Sequence, residues 1–251
     1  MNLASRIGAW SKSGGRVPTA RDYVQDGLIF QIDGIENAGY GQHDSVSVID
    51  IKGGVQISQQ GGAFDVEKDY IHFNGTRYLY FRGTSVVNAI VGKSATIELC
   101  AEQLSGNVRN GGVIGFGVDR RMFWEYIQGI PNNNNEIYNR LQEDLSFLTN
   151  SVSYETRGGS DQHLCSGAVG EKISLSYTLG EVAKIFRNSV YGIPDFGPGT
   201  NAADYDCYIG KIGSYRIGKF KLFSLRVYER LLFQDEIAHN YAIDKARFNL
   251  P

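Results

Sequence analysis

The sequence predicts an all-β fold that ends in one short helix, and three observations carry this prediction. Glycine is abundant, at 31 of 251 residues, and it supplies the positive φ angles that tight turns between short strands need. Short apolar or alternating runs recur along the chain with turn signals between them. A helical repeat occurs once, near the carboxyl end. This order leaves no room for alternating strands and helices.

The runs predict about ten strands or strand segments, some of them paired in hairpins. Two hairpins are expected, one around residues 52–54 and one around Asn74-Gly75, because such glycine-containing turns join neighbouring strands. The predicted strands are 28–34, 46–51, 55–57, 70–73, 78–81, 95–100, 112–118, 122–127, 151–154, 172–177, 183–186, 205–210 and 218–228.

Two further segments depart from the strand pattern. Residues 128–150 contain Pro131 and four consecutive asparagines, which predicts a long surface excursion. Residues 233–243 predict the helix, with Ile237, Tyr241 and Lys245 on one face and acidic residues in the first turn, where the helix dipole favours them.

The chain is expected to form a single domain from residue 25 to residue 251. Sandwiches of this length often fold as one domain around one core. Residues 1–24 are polar, contain glycine and show no period. They predict an arm or linker in front of the domain.

Composition and charge exclude several classes of partner. A net charge of -2 gives no general attraction to nucleic acid, and no apolar run approaches the roughly 20 residues that span a bilayer. Residues 1–25 lack the apolar stretch of a secretory signal, so export by the usual route is not expected. Cys100, Cys165 and Cys207 cannot all pair in disulfides, so we expect them to be small apolar side chains in strands. Unpaired cysteines also favour assembly of the protein in a reducing cytosol.

The last third of the chain resembles a known family. Residues 173–192, with the turn Asn188-Ser189, are similar to a strand pair of laminin-G-like domains. Residues 220–231 and the helix that follows resemble the closing strand and helix of that family. The opening residues 26–37 are similar to the first strand of such domains encoded by gut Bacteroidetes and their phages.

The resemblance implies a two-sheet antiparallel jelly-roll sandwich of the concanavalin A-like, laminin-G-like type with a short C-terminal helix. In that family the fold serves mostly as a carbohydrate- or protein-binding module. Fold alone does not identify the function.

The chemistry of an enzyme is missing from the sequence. Glycosidases on this fold carry carboxylates at alternate positions of one strand, whereas Glu98 and Glu125 stand alone and are expected to face solvent. The four histidines are scattered. The sequence therefore predicts a binding or structural protein and not an enzyme.

A sugar site needs an exposed aromatic platform beside amides or carboxylates. Trp124 and Tyr126, on one face of a strand, and the following Asn132 and Asn133 meet this need, although Trp124 in the core is the alternative. No cofactor is expected. Calcium stays open because relatives bind it through loop carboxylates, here groups such as Asp26 or Asp206, but no ligand set is assigned.

The function expected from these features is that of a phage virion component: a head fibre, decoration or tail-appendage protein made in the host cytoplasm, which binds host glycans. The alternative is a lectin-like protein of the bacterial cell surface, and a polysaccharide-degrading enzyme has the least support. Partners are then other virion or surface proteins, contacted through the N-terminal arm, and glycans. We expect neither nucleic acid nor a membrane as a partner. We expect the chain to form a homo-oligomer.

Overall fold

The structure is a computed structural model, and it describes most of the chain. The described residues are 16–39, 48–62, 65–66, 69–90, 94–104, 111–116, 122–128, 135–141, 160–167, 170–179, 183–196, 206–212 and 216–251. None of the helices within these ranges is long and apolar enough to cross a membrane.

The described residues form seventeen strands and three helices. A short 3-10 turn (Ala20–Asp22) precedes them. The strands are β1 (Leu28–Asp33), β2 (Ser58–Gln60), β3 (Asp65–Val66), β4 (Ile71–Asn74), β5 (Tyr78–Arg82), β6 (Ala95–Gln103), β7 (Gly111–Phe116), β8 (Met122–Gln128), β9 (Asn135–Leu141), β10 (Ser160–Gly167), β11 (Lys172–Leu179), β12 (Ala183–Arg187), β13 (Val190–Phe196), β14 (Asp206–Ile209), β15 (Lys211–Ile212), β16 (Arg216–Ile217) and β17 (Lys219–Tyr228). The helices are α1 (Gly34–Gly39), α2 (Thr84–Ile90) and α3 (Gln234–Phe248).

The strands form two antiparallel sheets. Sheet A has the order β13-β12-β11-β6-β17-β4-β3, and β1 pairs with β17 beside β4. Sheet B has the order β10-β9-β8-β7-β14-β5-β2, and β15 and β16 form a separate small hairpin. The predicted all-β, two-sheet antiparallel sandwich with a C-terminal helix is thus confirmed.

One core joins the two sheets. Its side chains come from alternate positions of the strands, as the period of two requires. Sheet A contributes residues such as Phe30, Ile97 and Leu225, and sheet B contributes residues such as Leu79 and Ile209, all within one cluster. Each is at most 1% exposed.

The other face of sheet A is polar and is covered by α3. Arg226 of β17 is completely buried there. Its guanidinium donates from Nε to Glu98 Oε2 at 2.9 Å and from Nη1 and Nη2 to the two oxygens of Asp244 at 3.0 and 2.9 Å. Burial works to lower the pKa of Arg226, but these carboxylates hold the pKa well above its ordinary value. The contacts tie β17 and β6 to the helix.

Glu98 corrects a prediction, because it faces this interior and not solvent. Its side chain is 1% exposed and also accepts hydrogen bonds from Ser176 Oγ at 2.9 Å and Asn240 Nδ2 at 2.7 Å. Burial raises the pKa of Glu98 despite the neighbouring Arg226. A full set of donors makes a carboxylate tolerable in the interior.

The helix prediction is confirmed, but the face that α3 buries differs from the predicted one. Tyr241 is partly exposed and Lys245 is exposed. The buried stripe instead begins at Ile237 and continues through Asn240 and Asp244. A search for apolar residues at helical spacing does not predict this buried stripe, because the stripe contains polar residues. These polar residues are buried because they pair with buried groups of sheet A.

Residues 16–24, which the sequence assigns to an arm, pack on α3. Tyr23 is 2% exposed, and its hydroxyl donates to Asp244 Oδ1 at 2.7 Å. Its ring lies 3.9 Å from the guanidinium carbon of Arg226. Val24 N donates to Asn240 Oδ1 at 2.9 Å. This segment therefore covers the buried ion pairs, while residues 1–15 lie outside the described residues.

Both predicted hairpins are wrong. Asp50 folds the first segment into a loop, because its carboxylate accepts hydrogen bonds from the backbone N–H groups of Gln31, Lys52, Gly54 and Val55. A regular strand, β2, begins only at Ser58.

In the second segment the chain crosses from sheet A to sheet B. β4 pairs with β17, whereas β5 pairs with β14. Asn74 Oδ1 accepts hydrogen bonds from Thr76 N and Oγ1, which closes a local turn without joining the flanking strands.

The segment predicted as a surface excursion contains β9, which lies between β8 and β10 in sheet B. The sequence also did not predict four other elements: the short helices α1 and α2 and the strands β10 and β13. β13 contains Pro194, which a strand at the edge of a sheet tolerates. The predicted strand at 151–154 lies outside the described residues.

Candidate functional site

The outer face of sheet B carries a cluster of partly exposed tyrosines. Strands β5 and β14 are neighbours in this sheet. Leu79, Phe81, Cys207 and Ile209 enter the core, and the residues between them face outward: Tyr78, Tyr80, Arg82, Asp206 and Tyr208. Because side chains alternate along a strand, the buried positions fix which face the tyrosines occupy.

Three tyrosine rings lie side by side on this face. The Tyr80 and Tyr208 ring centroids are 5.3 Å apart with a tilt of 47°. Those of Tyr78 and Tyr208 are 6.0 Å apart with a tilt of 44°. These separations fall in the range of favourable aromatic pairs. We call Tyr78, Tyr80 and Tyr208 the tyrosine face.

Polar groups stand at both ends of the tyrosine face. At one end Tyr80 donates its hydroxyl hydrogen to Asp206 Oδ1 at 2.9 Å. At the other end Lys211 Nζ lies 4.3 Å from the Tyr78 centroid and 5.5 Å from the Tyr208 centroid. The arrangement provides apolar ring surface between a carboxylate and an ammonium group.

The strand register continues this face across the sheet. Ser58 pairs with Tyr80, Tyr80 with Tyr208, and Tyr208 with Gly115. Gly115 pairs in turn with Phe123.

Two of the sequence-predicted site residues belong to described strand residues. Trp124 and Tyr126 belong to β8, where Trp124 pairs with Ile114 and Tyr126 with Gly111. Ile114 is a core residue, 1% exposed.

Asn132 and Asn133 lie outside the described residues. The role of Trp124, Tyr126, Asn132 and Asn133 in sugar binding stays a prediction.

Sequence reasoning missed the tyrosine face, although a signal was present. Tyr78 and Tyr80 flank the apolar Leu79. Tyr208 stands between two apolar neighbours, so it also alternates with apolar residues. The alternation indicates tyrosines on one face of each strand. It does not indicate that these two strands, about 130 residues apart, lie side by side.

A polar cleft of about 820 Å³ lies between the N-terminal segment, α1 and the loop after Asp50. Its lining includes Arg16, Asp22, Glu36 and Lys52 and has no aromatic side chain among the described residues. A cleft without aromatic surface offers no platform for a sugar ring. We therefore place the candidate site on the tyrosine face.

Other groups considered for chemistry or metal binding have structural partners. Asp33 is buried and pairs with Arg247 at 2.6 Å, and Asp26 lies 2.8 Å from Arg230. Within the described ranges no three His, Cys, Asp or Glu residues are grouped to hold a metal. Cys100 and Cys207 are buried thiols, as predicted, and burial raises the pKa of the Cys100 thiol.

No protein-family model matches the chain, and no curated protein matches its sequence significantly. Solved structures do match. The binding domain of botulinum neurotoxin DC superposes with a TM-score of 0.61 and 12% identity over 86% of this chain, which spans about half (51%) of the toxin chain.

Two further structures share the fold. Domain 4 of AbnA, an extracellular arabinanase from Geobacillus stearothermophilus, has a TM-score of 0.57 and 14% identity, over 86% of this chain and 98% of that domain. A sialidase mutant from Trypanosoma rangeli has a TM-score of 0.58 and 12% identity, over 94% of this chain and 35% of that chain. These likenesses show a β-sandwich and do not by themselves identify a ligand.

Proposed function

We propose that this chain is a non-enzymatic carbohydrate-binding module that holds its ligand on the tyrosine face. The observation that carries the proposal is the set of three adjacent outward rings between Asp206 and Lys211. Ring surface packs against the C–H faces of a sugar, while the flanking charged groups bond its hydroxyls.

The structural neighbours support this class of ligand. The arabinanase domain, which the present chain covers almost completely, was solved in complex with arabinotriose. The binding domain of botulinum neurotoxin DC was solved in complex with SialylT, but only half of that chain is matched. The support is therefore strongest from the arabinanase domain.

The direct test is a glycan array probed with the purified chain, with and without calcium. We expect specific binding to a set of oligosaccharides. Tyr208→Ala removes the central ring and with it about 0.5–1.5 kcal/mol of contact, so the Kd measured by calorimetry should rise about twofold to twelvefold.

Phe233→Ala is the matched control, because Phe233 is an exposed aromatic residue on the helix side of the molecule, 71% exposed. It should leave the Kd unchanged. A blank array, or equal effects of the two variants, would contradict the proposal. Loss of binding in the absence of calcium would assign a metal to the site.

We further propose a phage virion as the setting, as a head fibre, decoration or tail-appendage protein, with the bacterial cell surface as the alternative. The support is the resemblance of residues 26–37 to the first strand of laminin-G-like domains encoded by gut Bacteroidetes and their phages. The buried thiols of Cys100 and Cys207 fit assembly in a reducing compartment. Mass spectrometry of purified particles should then detect the chain, and light scattering should give a homo-oligomer. Its absence from particles would favour the cell surface.

A further inference from the structure

Lys211 occupies an unusual place on the tyrosine face. It opens β15 directly after Gly210, where β14 has ended, and its backbone pairs with Ile217. Its ammonium lies within 6 Å of both the Tyr78 and the Tyr208 centroid. Attraction to the negative faces of the rings favours this position over free motion in water.

The ammonium has no anionic partner among the residues that the structure describes. Its contacts there are the two rings. Lys221 and Lys172 differ: Lys221 Nζ donates to Glu102 at 2.8 Å, and Lys172 Nζ donates to Phe248 O at 2.8 Å. Lys211 is thus a held cation whose three N–H donors are not used by described groups.

A held ammonium beside a sugar platform distinguishes ligands by charge. A sugar hydroxyl accepts an ordinary hydrogen bond from it, whereas a carboxylate or sulfate oxygen accepts a charge-assisted bond roughly twice as strong. Asp206 at the opposite end disfavours an anion there and suits hydroxyl donors. The two ends therefore give the ligand a direction.

We propose that Lys211 makes the tyrosine face selective for acidic glycans, in which a carboxylate of a sugar acid or a sulfate ester lies against the ammonium. This inference rests on the proposed carbohydrate binding and names its ligand class. Lys211 is its specificity-determining residue, and Tyr78 and Tyr208 hold it in position.

The test uses a glycan array printed in matched forms: native acidic glycans, the same glycans with carboxylates converted to methyl esters, and sulfated glycans before and after desulfation. The native chain should bind the charged form at least about tenfold more tightly than its neutralised form. The two chemical treatments distinguish sugar acids from sugar sulfates.

Variants then assign the selectivity to Lys211. Lys211→Gln should lose the preference for the charged form while keeping affinity for the neutral form within about twofold, because the rings remain. Lys211→Arg keeps the charge and should keep the preference. Arg82→Gln is the control: it removes an exposed cation on the outer face of sheet B that makes no ring contact with the described residues. It should change the preference for the charged form little.

The outcomes separate the two proposals. If no form binds, the proposed function fails and this inference with it. If charged and neutralised forms bind equally, or if Lys211→Gln still prefers the charged form, the acidic-glycan inference is overturned while carbohydrate binding stands. Loss of preference in Arg82→Gln but not in Lys211→Gln also overturns it.

Discussion

Arg226 shows how one residue organises a large part of the molecule. Its guanidinium is shared by Glu98 on the neighbouring strand and Asp244 on α3, and the Tyr23 ring stacks on it from the N-terminal segment. Burial of the group is costly unless every charge is paired. The stability of the helix side therefore depends on the set being complete.

Arg226→Met tests this dependence. The change keeps an unbranched apolar stem but leaves two carboxylates buried without their partner, so we expect the free energy of unfolding at pH 7 to fall by about 3–5 kcal/mol. Urea denaturation followed by circular dichroism measures it. Lys245→Met, at an exposed position of α3, should cost less than about 0.5 kcal/mol. A similarly small cost for Arg226→Met would show that the ion pairs contribute little to stability.

The same residues mark what a sequence can indicate at this scale. Glu98 and Arg226 are 128 positions apart, and a lone glutamate in an alternating strand is more often exposed than buried. Pairing partners this distant become visible only once β6 and β17 are known to be neighbours. Lys211 is missed for the same reason, because its two rings come from strands that only the fold brings together.

Among the elements, α3 begins at a well-defined clasp. Arg230 donates from Nη1 and Nη2 to the two oxygens of Glu236 at 2.8 and 2.7 Å, and Phe233 N donates to Glu236 Oε2 at 2.9 Å. Burial works to raise the pKa of Glu236, but these donors lower it below its ordinary value of 4.5. The ionised form is therefore the one that stabilises the start of the helix.

Glu236→Gln should accordingly have a pH-dependent effect. Because the pKa of Glu236 is lower in the folded state, its contribution is present above pH 4.5 and is lost as the pH falls through the folded-state pKa. We expect a cost of about 1 kcal/mol at pH 7 that shrinks toward zero below that window. Urea unfolding at a series of pH values measures it.

Glu229→Gln is the neighbouring control. Glu229 is exposed, and its substitution should have little effect at any pH in the series. A cost for Glu236→Gln that stayed constant from pH 7 to pH 3 would mean that the carboxylate acts by shape and not by charge.

Elements differ in how well the sequence indicates them. The long strand β17 is indicated by its alternation with a period of two, and the helix α3 is indicated by its helical spacing. Asn74-Gly75 is a turn, as its composition indicates, but a turn pair does not specify whether the strands on either side share a sheet. Asp50 turns an apolar run into a loop by accepting four backbone hydrogen bonds. The spacing of apolar residues along the sequence gives no sign of these bonds.

On the scale of the whole molecule, side chains of both sheets meet in one core cluster. Leu225 of sheet A and Leu79 of sheet B are both fully buried in it. A shared core favours unfolding in one transition. The single domain from residue 25 to residue 251 stays a prediction that this behaviour tests.

We expect Leu225→Ala and Leu79→Ala each to lower the free energy of unfolding by about 2–5 kcal/mol. Each change should also move the transitions seen by circular dichroism and by tryptophan fluorescence together. Leu231→Ala, at a position that is 39% exposed, should move neither by much. Separate transitions for the two probes would indicate that the sheets unfold independently.

The position of β17 has a consequence for how the chain is made. It pairs with β6 on one side and with β1 and β4 on the other, yet it follows all three in the sequence. During synthesis those strands leave the ribosome first, and their open edges can pair with other chains until β17 arrives. The nascent chain is therefore expected to need chaperone protection until β17 has emerged, which makes translation speed through this part of the message a determinant of yield.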